Sequence, residues 1–119
     1  MDHTDVAAFV DGWLRAWNAH DLDGVLSHFA DDVVFSSPVA RRLIEGTDGV
    51  VRGKAALRAY WAEGLRRIPD LHFELVDVYT GVDTIVVNYR NQRGGAVAEV
   101  LRFRDGLVAW GCGAYAADG

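Results

Sequence analysis

The sequence predicts a single α+β domain in which helices pack on one face of a mostly antiparallel sheet. Apolar residues recur at helical spacing in the N-terminal half of the chain, and from residue 71 onward they alternate with a period of two. The connections between the last four predicted strands are too short for the crossovers that parallel strands need, so these strands are antiparallel neighbours. The length of 119 residues fits one domain spanning 1–119.

Three helices and one early strand come before a predicted meander of four strands. The first helix spans residues 4–19, a short second helix begins after its N-cap Asp21, and the third spans 54–67. The early strand covers 33–37, and residues 39–52 are interpreted as an irregular loop with room for a small hairpin. The remaining strands are predicted over residues 71–80, 83–91, 96–104 and 107–115. Because helices do not fill a curved sheet completely, an apolar cavity is expected at its open end.

Charge and cysteine content exclude several classes of protein. The formal net charge is −5, from 17 acidic and 12 basic residues, so the chain offers no basic surface for a nucleic-acid backbone. A single cysteine, Cys112, excludes an internal disulfide. No apolar run approaches the roughly 20 residues of a membrane span, and the acidic first residues differ from the basic start of a signal peptide. We therefore expect a cytoplasmic protein that binds neither nucleic acid nor membrane.

Several segments resemble a known superfamily. The early segments WNAHDLDG at 17–24 and FADDV at 29–33 resemble the helix–turn–helix–strand opening of the nuclear transport factor two-like superfamily. That superfamily includes ketosteroid isomerase, limonene epoxide hydrolase and the SnoaL-like polyketide cyclases. The segment GKAALRAYW at 53–61 is similar to its third helix, and LRFRDG at 101–106 is similar to its final hairpin.

The resemblance implies a cone-shaped fold. A curved, mostly antiparallel sheet is expected to wrap around three N-terminal helices, as in an α+β barrel of the cystatin-like type. The resemblance also implies a pocket at the wide end of the cone and a homodimer formed through the outer face of the sheet. Because one scaffold hosts unrelated chemistries, it predicts the fold more specifically than the activity.

The resemblance to ketosteroid isomerase carries over one of three site residues. The position of the carboxylate base, just before Pro38, holds Ser37, whose hydroxyl does not take a proton from carbon at neutral pH. The position of the first-helix phenol holds Trp13, whereas the protonated acid in the sheet corresponds to Glu99. Gly113 stands near the last-strand Asp of the epoxide hydrolases, and the His/Asp pair of the cyclases is missing. We therefore expect no steroid isomerase activity.

Glu99 is the candidate catalytic residue. It lies in the middle of a predicted strand, and its second neighbours, Val97 and Leu101, are apolar. If this face is buried, burial raises the pKa of the carboxyl group and suits it to proton transfer near neutral pH. The structural alternative is an internal ion pair with Arg90 or Arg102.

The adjacent strand offers two orientations. One of them points Asn88 and Arg90 into the cavity, where Arg90 can hold Glu99 or a ligand carboxylate, and the family resemblance favours this one. The other points Tyr89 inward.

The last strand also leaves two alternatives. A two-residue turn at 105–106 puts Trp110 and Cys112 on the face of Glu99. A three-residue turn with a bulge puts Gly111, Gly113 and Tyr115 there instead, and the resemblance favours this alternative.

The predicted substrate-binding residues are the aromatic, apolar and polar side chains expected around the cavity. They are Trp13, Trp17, Phe35, Ser37, Tyr60, Asn88, Arg90, Leu101 and Tyr115. Plain core packing is the alternative for the tryptophans and for Tyr60. The acidic residues and histidines around Asp21 are explained by a capped helix start, so we predict no metal and no cofactor.

These observations predict a pocket protein for a small apolar molecule bound in the cone cavity. If it is an enzyme, it is a cofactor-free isomerase, cyclase or hydrolase that uses Glu99 for proton transfer. The alternative is a non-catalytic ligand-binding, dimerisation or accessory module. The two alternatives remain open from the sequence.

Overall fold

The computed structural model describes residues 3–117, which form four helices and one six-stranded sheet. The helices are α1 (His3–Asn18), α2 (Leu22–Leu26), α3 (Pro38–Leu43) and α4 (Lys54–Arg67). The strands are β1 (Phe29–Ser36), β2 (Val50–Arg52), β3 (Glu74–Gly81), β4 (Thr84–Arg90), β5 (Ala96–Arg104) and β6 (Leu107–Tyr115). In the sheet order β2-β1-β6-β5-β4-β3, only β1 and β6 pair in parallel. The expected α+β class and mostly antiparallel sheet are confirmed.

A short helix replaces part of the loop predicted over 39–52. The helix α3 begins at Pro38, and the Ser37 hydroxyl caps it by accepting a hydrogen bond from the Val39 amide at 3.1 Å. Proline suits the first turn of a helix, because the amide it lacks has no partner there in any case. Strand β2 follows and pairs antiparallel with β1. The loop prediction was therefore wrong for α3, although serine followed by proline is a helix-start signal.

Strand β1 starts four residues earlier than the predicted range 33–37. Phe29 and Ala30 are buried in the strand, whereas Asp31 and Asp32 are exposed and fall where the pairing with β6 is irregular. The two aspartates interrupt the alternation of apolar residues. Sequence periodicity therefore detects only the regular second half of the strand.

The core lies between the helices and the inner face of the sheet. The buried side chains of α1 are Phe9, Val10, Trp13, Ala16 and Trp17. The ring of Trp13 stacks on Phe73 at 5.9 Å and lies 5.6 Å from the ring of Tyr89. Helix α1 is thereby packed directly against the strands that carry the site described below. Within residues 3–117, no helix is long and apolar enough to cross a membrane.

The pairing of β5 with β6 contains a bulge. The turn between these strands has two residues, and Ala109 is the extra residue where the register shifts. This shift puts three β6 residues on the same face as Glu99, namely Gly111, Gly113 and Tyr115. The bulge and the residues it turns towards Glu99 are confirmed, but the predicted three-residue turn was wrong, because the extra residue lies in the strand and not in the turn.

Gly111 marks a close approach between three strands. A Cβ atom added there would lie 3.0 Å from Phe35 Cδ2 and 3.2 Å from Leu101 Cδ2, and both neighbours are buried. We expect Gly111→Ala to lower the free energy of unfolding by about 1–3 kcal/mol, measured by urea denaturation. Gly64→Ala on α4 is the matched control, because a Cβ there meets no atom within 4 Å and alanine favours the helix. Wild-type stability of Gly111→Ala would contradict the prediction.

Candidate functional site

A cavity of about 90 Å³ lies between the helices and the inner face of the sheet. Seven of its lining residues are aromatic: Trp17, Phe35, Tyr60, Trp61, Phe73, Tyr89 and Tyr115. The aliphatic lining residues are Val39, Leu43, Leu65, Ile68 and Leu71. Ser37 and Glu99 are the polar ones besides the tyrosines, and Gly64 and Gly113 complete the wall. The expected hollow beside position 99 is therefore present.

Glu99 points into this hollow from the middle of β5. Its face is set by the sheet register, which places it opposite Val87 on β4 and Gly113 on β6. The residue is 6% exposed, and the one hydrogen bond found to its carboxyl within residues 3–117 comes from the Tyr89 hydroxyl at 3.3 Å. Burial raises the pKa of this carboxyl to about 7, and the hydrogen bond from Tyr89 offsets part of that effect.

Among the residues that the structure describes, none forms an ion pair with Glu99. The guanidinium of Arg90 lies on the opposite face of the sheet and donates to the Gly94 carbonyl oxygen at 3.1 Å. Arg102 is exposed on the same outer face, where it pairs in register with Trp110. The structural alternative of an internal ion pair with either arginine was therefore wrong, because each is an odd number of positions from Glu99 in register.

Three phenol groups surround the carboxyl. Burial raises the pKa of Tyr60 to about 12, raises the pKa of Tyr115, and raises the pKa of Tyr89 well above its usual range. A negative charge on Glu99 raises all three values further. The three hydroxyls therefore remain protonated at neutral pH and are available to donate hydrogen bonds.

Ser37 and Gly113 shape the polar end of the cavity. A Cβ atom added to Gly113 would lie 3.7 Å from Ser37 Oγ and 3.8 Å from Glu99 Oε1, both ordinary contact distances. The serine oxygen and the carboxyl oxygen thus face the same small volume, which the missing side chain of Gly113 leaves open. Hydrogen bonding to Ser37 also lowers the pKa of Tyr60 and Tyr115, against the larger effect of burial.

Comparison with known proteins connects this arrangement to a family. The family model for the SnoaL-like domain matches residues 10–110. This chain belongs to the SnoaL-like family. A crystal structure of a SnoaL-like protein of unknown function from Burkholderia thailandensis shares 42% identity over 98% of this chain and 99% of that one, with a TM-score of 0.91.

Two more distant structures share only the fold. TerC, crystallised with polyporic acid, has 16% identity over 96% of this chain and 93% of its own, with a TM-score of 0.78. IdmH, a candidate polyketide cyclase from Streptomyces antibioticus, has 18% identity over 92% of this chain and 90% of its own, with a TM-score of 0.76. The nuclear transport factor two-like resemblance and its cone-shaped α+β fold are confirmed.

The prediction that Asn88 and Arg90 face the cavity was wrong for this SnoaL-like protein. In the β4–β5 register Val87 lies opposite Glu99, so the side chains at 85, 87 and 89 point inward and those at 86, 88 and 90 point outward. The Asn88 amide donates to Asp77 Oδ1 at 2.7 Å on the outer face. Tyr89 points inward instead. The sequence signal for this orientation was that residues 85, 87 and 89 are more apolar than residues 86, 88 and 90.

Two other predicted substrate contacts belong to the closed core. Trp13 and Leu101 are both 0% exposed and do not line the cavity. By contrast, five of the predicted substrate-binding residues do line it: Trp17, Phe35, Ser37, Tyr60 and Tyr115. Their role in binding stays a prediction, as does the catalytic role of Glu99.

The aromatic wall contains residues that sequence reasoning missed. Phe73 is held by a pair of hydrogen bonds with Asn18, whose amide donates to its carbonyl at 3.0 Å and accepts from its backbone amide at 2.8 Å. Trp61 packs edge-to-face on Trp17 at 4.9 Å. Trp61 follows the predicted site residue Tyr60 on α4, and both belong to the apolar face of that helix. The helical spacing of apolar residues was therefore the signal that could have identified Trp61. Within residues 3–117, no three His, Cys, Asp or Glu side chains are placed to hold a metal ion.

Proposed function

We propose that this SnoaL-like protein binds a small, mostly apolar organic molecule in its cavity and that Glu99 exchanges a proton with it. The observation that carries the proposal is a buried carboxyl group that faces unfilled space and has no cationic partner in the described part of the chain. Burial of such a group lowers the stability of the fold, so its position is explained best by a function. With a pKa of about 7, both of its protonation states are populated near neutral pH.

The arrangement suits cofactor-free chemistry at a carbon next to a carbonyl group. The ionised Glu99 takes the proton from that carbon, and the hydroxyls of Ser37, Tyr60 and Tyr115 donate hydrogen bonds to the oxygen that becomes negative. In an isomerisation, Glu99 returns the proton to another carbon. In a cyclisation, the enolate carbon bonds to a second carbonyl carbon, whose oxygen then receives the proton. The name of IdmH, a neighbour in fold, supports cyclisation.

The size of the cavity constrains the ligand. Its volume of about 90 Å³ lies below the roughly 300 Å³ at which small-molecule sites usually begin. The reactive end of the ligand therefore lies inside, and the rest extends towards the rim, where Tyr115 is 43% exposed.

The test is hydrogen–deuterium exchange at the carbon next to the carbonyl of cyclohexanone in D₂O, followed by NMR. We expect the protein to accelerate this exchange and Glu99→Gln to slow it by about 100-fold. Gly113→Leu should slow it similarly, because the new side chain fills the space beside the carboxyl. Glu74→Gln makes the same chemical change at an exposed position of β3 and should keep the wild-type rate. Exchange that is absent in the wild type, or that persists in Glu99→Gln, would contradict the proposal.

A second candidate function is a dimerisation module, and it is favoured by the outer face of the sheet. Tyr79, Val86, Val100 and Cys112 form one row across four strands in register. Tyr79 is 62% exposed and nearby Trp110 is 39% exposed, which is typical of a contact surface. We infer a second copy of this chain as the partner, and because the cavity opens on the other face, this role is compatible with ligand binding.

A further inference from the structure

We propose that the molecule recognised by this cavity carries a protonated nitrogen, which pairs with Glu99. The site is then one for a small organic amine with an apolar body, and the inference rests on the ligand-binding part of the function proposed above. It concerns the charge of the ligand, which neither the fold nor the family defines.

The first argument is the charge of the cavity wall. Among the described residues that line it, Glu99 is the one carboxyl group, and Lys, Arg and His are absent. Buried charges in proteins are normally paired, yet the hydrogen-bond partner of Glu99 is the neutral phenol of Tyr89. A ligand cation supplies the missing charge. A ligand anion would add a second negative charge in a medium of low dielectric constant, where repulsion is strong.

The second argument is the position of the oxygen atoms. Ser37 Oγ and Glu99 Oε1 lie 3.7 Å and 3.8 Å from the point that a Gly113 side chain would occupy. A primary ammonium group has three N–H donors and needs several oxygen acceptors on one side. The volume above Gly113 therefore provides a carboxylate and a hydroxyl to the same ammonium group.

The third argument is the aromatic wall. Trp17, Trp61 and Phe73 are lining residues, and the rings of Trp17 and Phe73 lie 5.6 Å apart. Aromatic faces attract ammonium groups through the negative charge of their π-systems, and the attraction grows when water is excluded. The same rings accept the apolar body of the ligand, so one wall serves both parts of an amine.

A cationic side chain lies near the tyrosine side of the cavity. Arg42 on α3 is exposed, and its charge lowers the pKa of Tyr60 and Tyr115, which places it near the tyrosine side of the cavity. A second cation at that side would be repelled by the guanidinium. On β6, burial and, to a smaller extent, the charge of Glu99 raise the pKa of Cys112, which lies on the outer face of the sheet. The titratable groups on which the charge of Glu99 acts are thus the three tyrosines and Cys112.

The test is calorimetric titration with three single-ring compounds of similar size and different charge: benzylamine, benzyl alcohol and benzoate. At about pH 8.5, where the amine is protonated and Glu99 is ionised, we expect benzylamine to bind at least about tenfold more tightly than benzyl alcohol, with benzoate the weakest. Glu99→Gln should remove the preference for the amine, and the matched control Glu74→Gln should keep it.

A second measurement needs no variant. Because Glu99 ionises with a pKa of about 7, benzylamine affinity of the wild type should rise by roughly tenfold between about pH 6 and 8.5, while benzyl alcohol affinity should not. Equal affinities for the amine and the alcohol, or an amine affinity that does not change with pH, would overturn the inference. Cyclohexanone exchange reports on the proposed proton transfer separately, because that probe is neutral and its result does not depend on a preference for amines.

Discussion

Glu99→Gln is expected to increase the free energy of unfolding relative to the wild type by about 3 kcal/mol above neutral pH. In the unfolded chain the carboxyl has a pKa of 4.5, whereas burial raises it to about 7 in the folded protein. One pH unit of difference between the two pKa values is worth about 1.4 kcal/mol. At pH values between these two pKa values, the folded state binds more protons than the unfolded state. The stability of the wild type therefore falls as the pH rises through this window. Glutamine does not titrate and lacks this slope.

Urea denaturation of both proteins from about pH 4 to pH 8 measures the difference between them. The pKa of His28 is lowered by burial, so its contribution to stability has the opposite slope, rising with pH. Both proteins contain His28, and its contribution therefore cancels in the difference. Glu74→Gln at an exposed position should follow the wild-type curve. Parallel curves for the wild type and Glu99→Gln would show that the carboxyl is not desolvated in the folded state.

Trp13→Ala is expected to cost about 3–5 kcal/mol of stability, the range typical of removing a large buried aromatic side chain. Trp13 is 0% exposed, and its ring contacts Phe73 and Tyr89. Its indole nitrogen has no hydrogen-bond partner within residues 3–117, so its loss removes packing and no hydrogen bond found there. Tyr89 in turn donates to Glu99, and the cavity should therefore lose its order together with the core.

Thermal and urea denaturation of Trp13→Ala measure this effect, with Val82→Ala as the surface control. Val82 is an apolar residue in the turn between β3 and β4 and is 88% exposed. Its truncation should cost much less, since no cavity forms at the surface. Similar small losses for both variants would mean that the space between α1 and the sheet collapses readily around the missing ring.

The two predictions address different contributions of buried residues. Trp13 stabilises the fold and does not reach the cavity, whereas Glu99 lowers stability above neutral pH and faces the cavity. A buried group that lowers stability is the pattern expected where function opposes the best packing. The stability measurements therefore distinguish the framework of the site from the group proposed to act in it.

Several elements were predictable because their signals are local. Helix α4 and strands β5 and β6 have the predicted bounds, since each shows regular periodicity and ends at a turn signal. The apolar residues at 97 and 101 predicted that Glu99 shares their face of the strand, and the structure shows that this face is buried. Helix α3 was missed because six residues are too few for a helical period to appear.

Local periodicity established the type of the longer elements, but it could not establish which face of β4 and β6 is buried. A strand has two faces, and a shift of one residue exchanges them, so the choice depends on pairing with β5. That pairing turned Tyr89 inward and Asn88 outward, and the bulge at Ala109 placed Gly113 beside Glu99. The volume of the cavity is likewise what remains after all helices and strands have packed. It is a property of the assembled fold, because no single segment contains both the carboxyl group and the space in front of it.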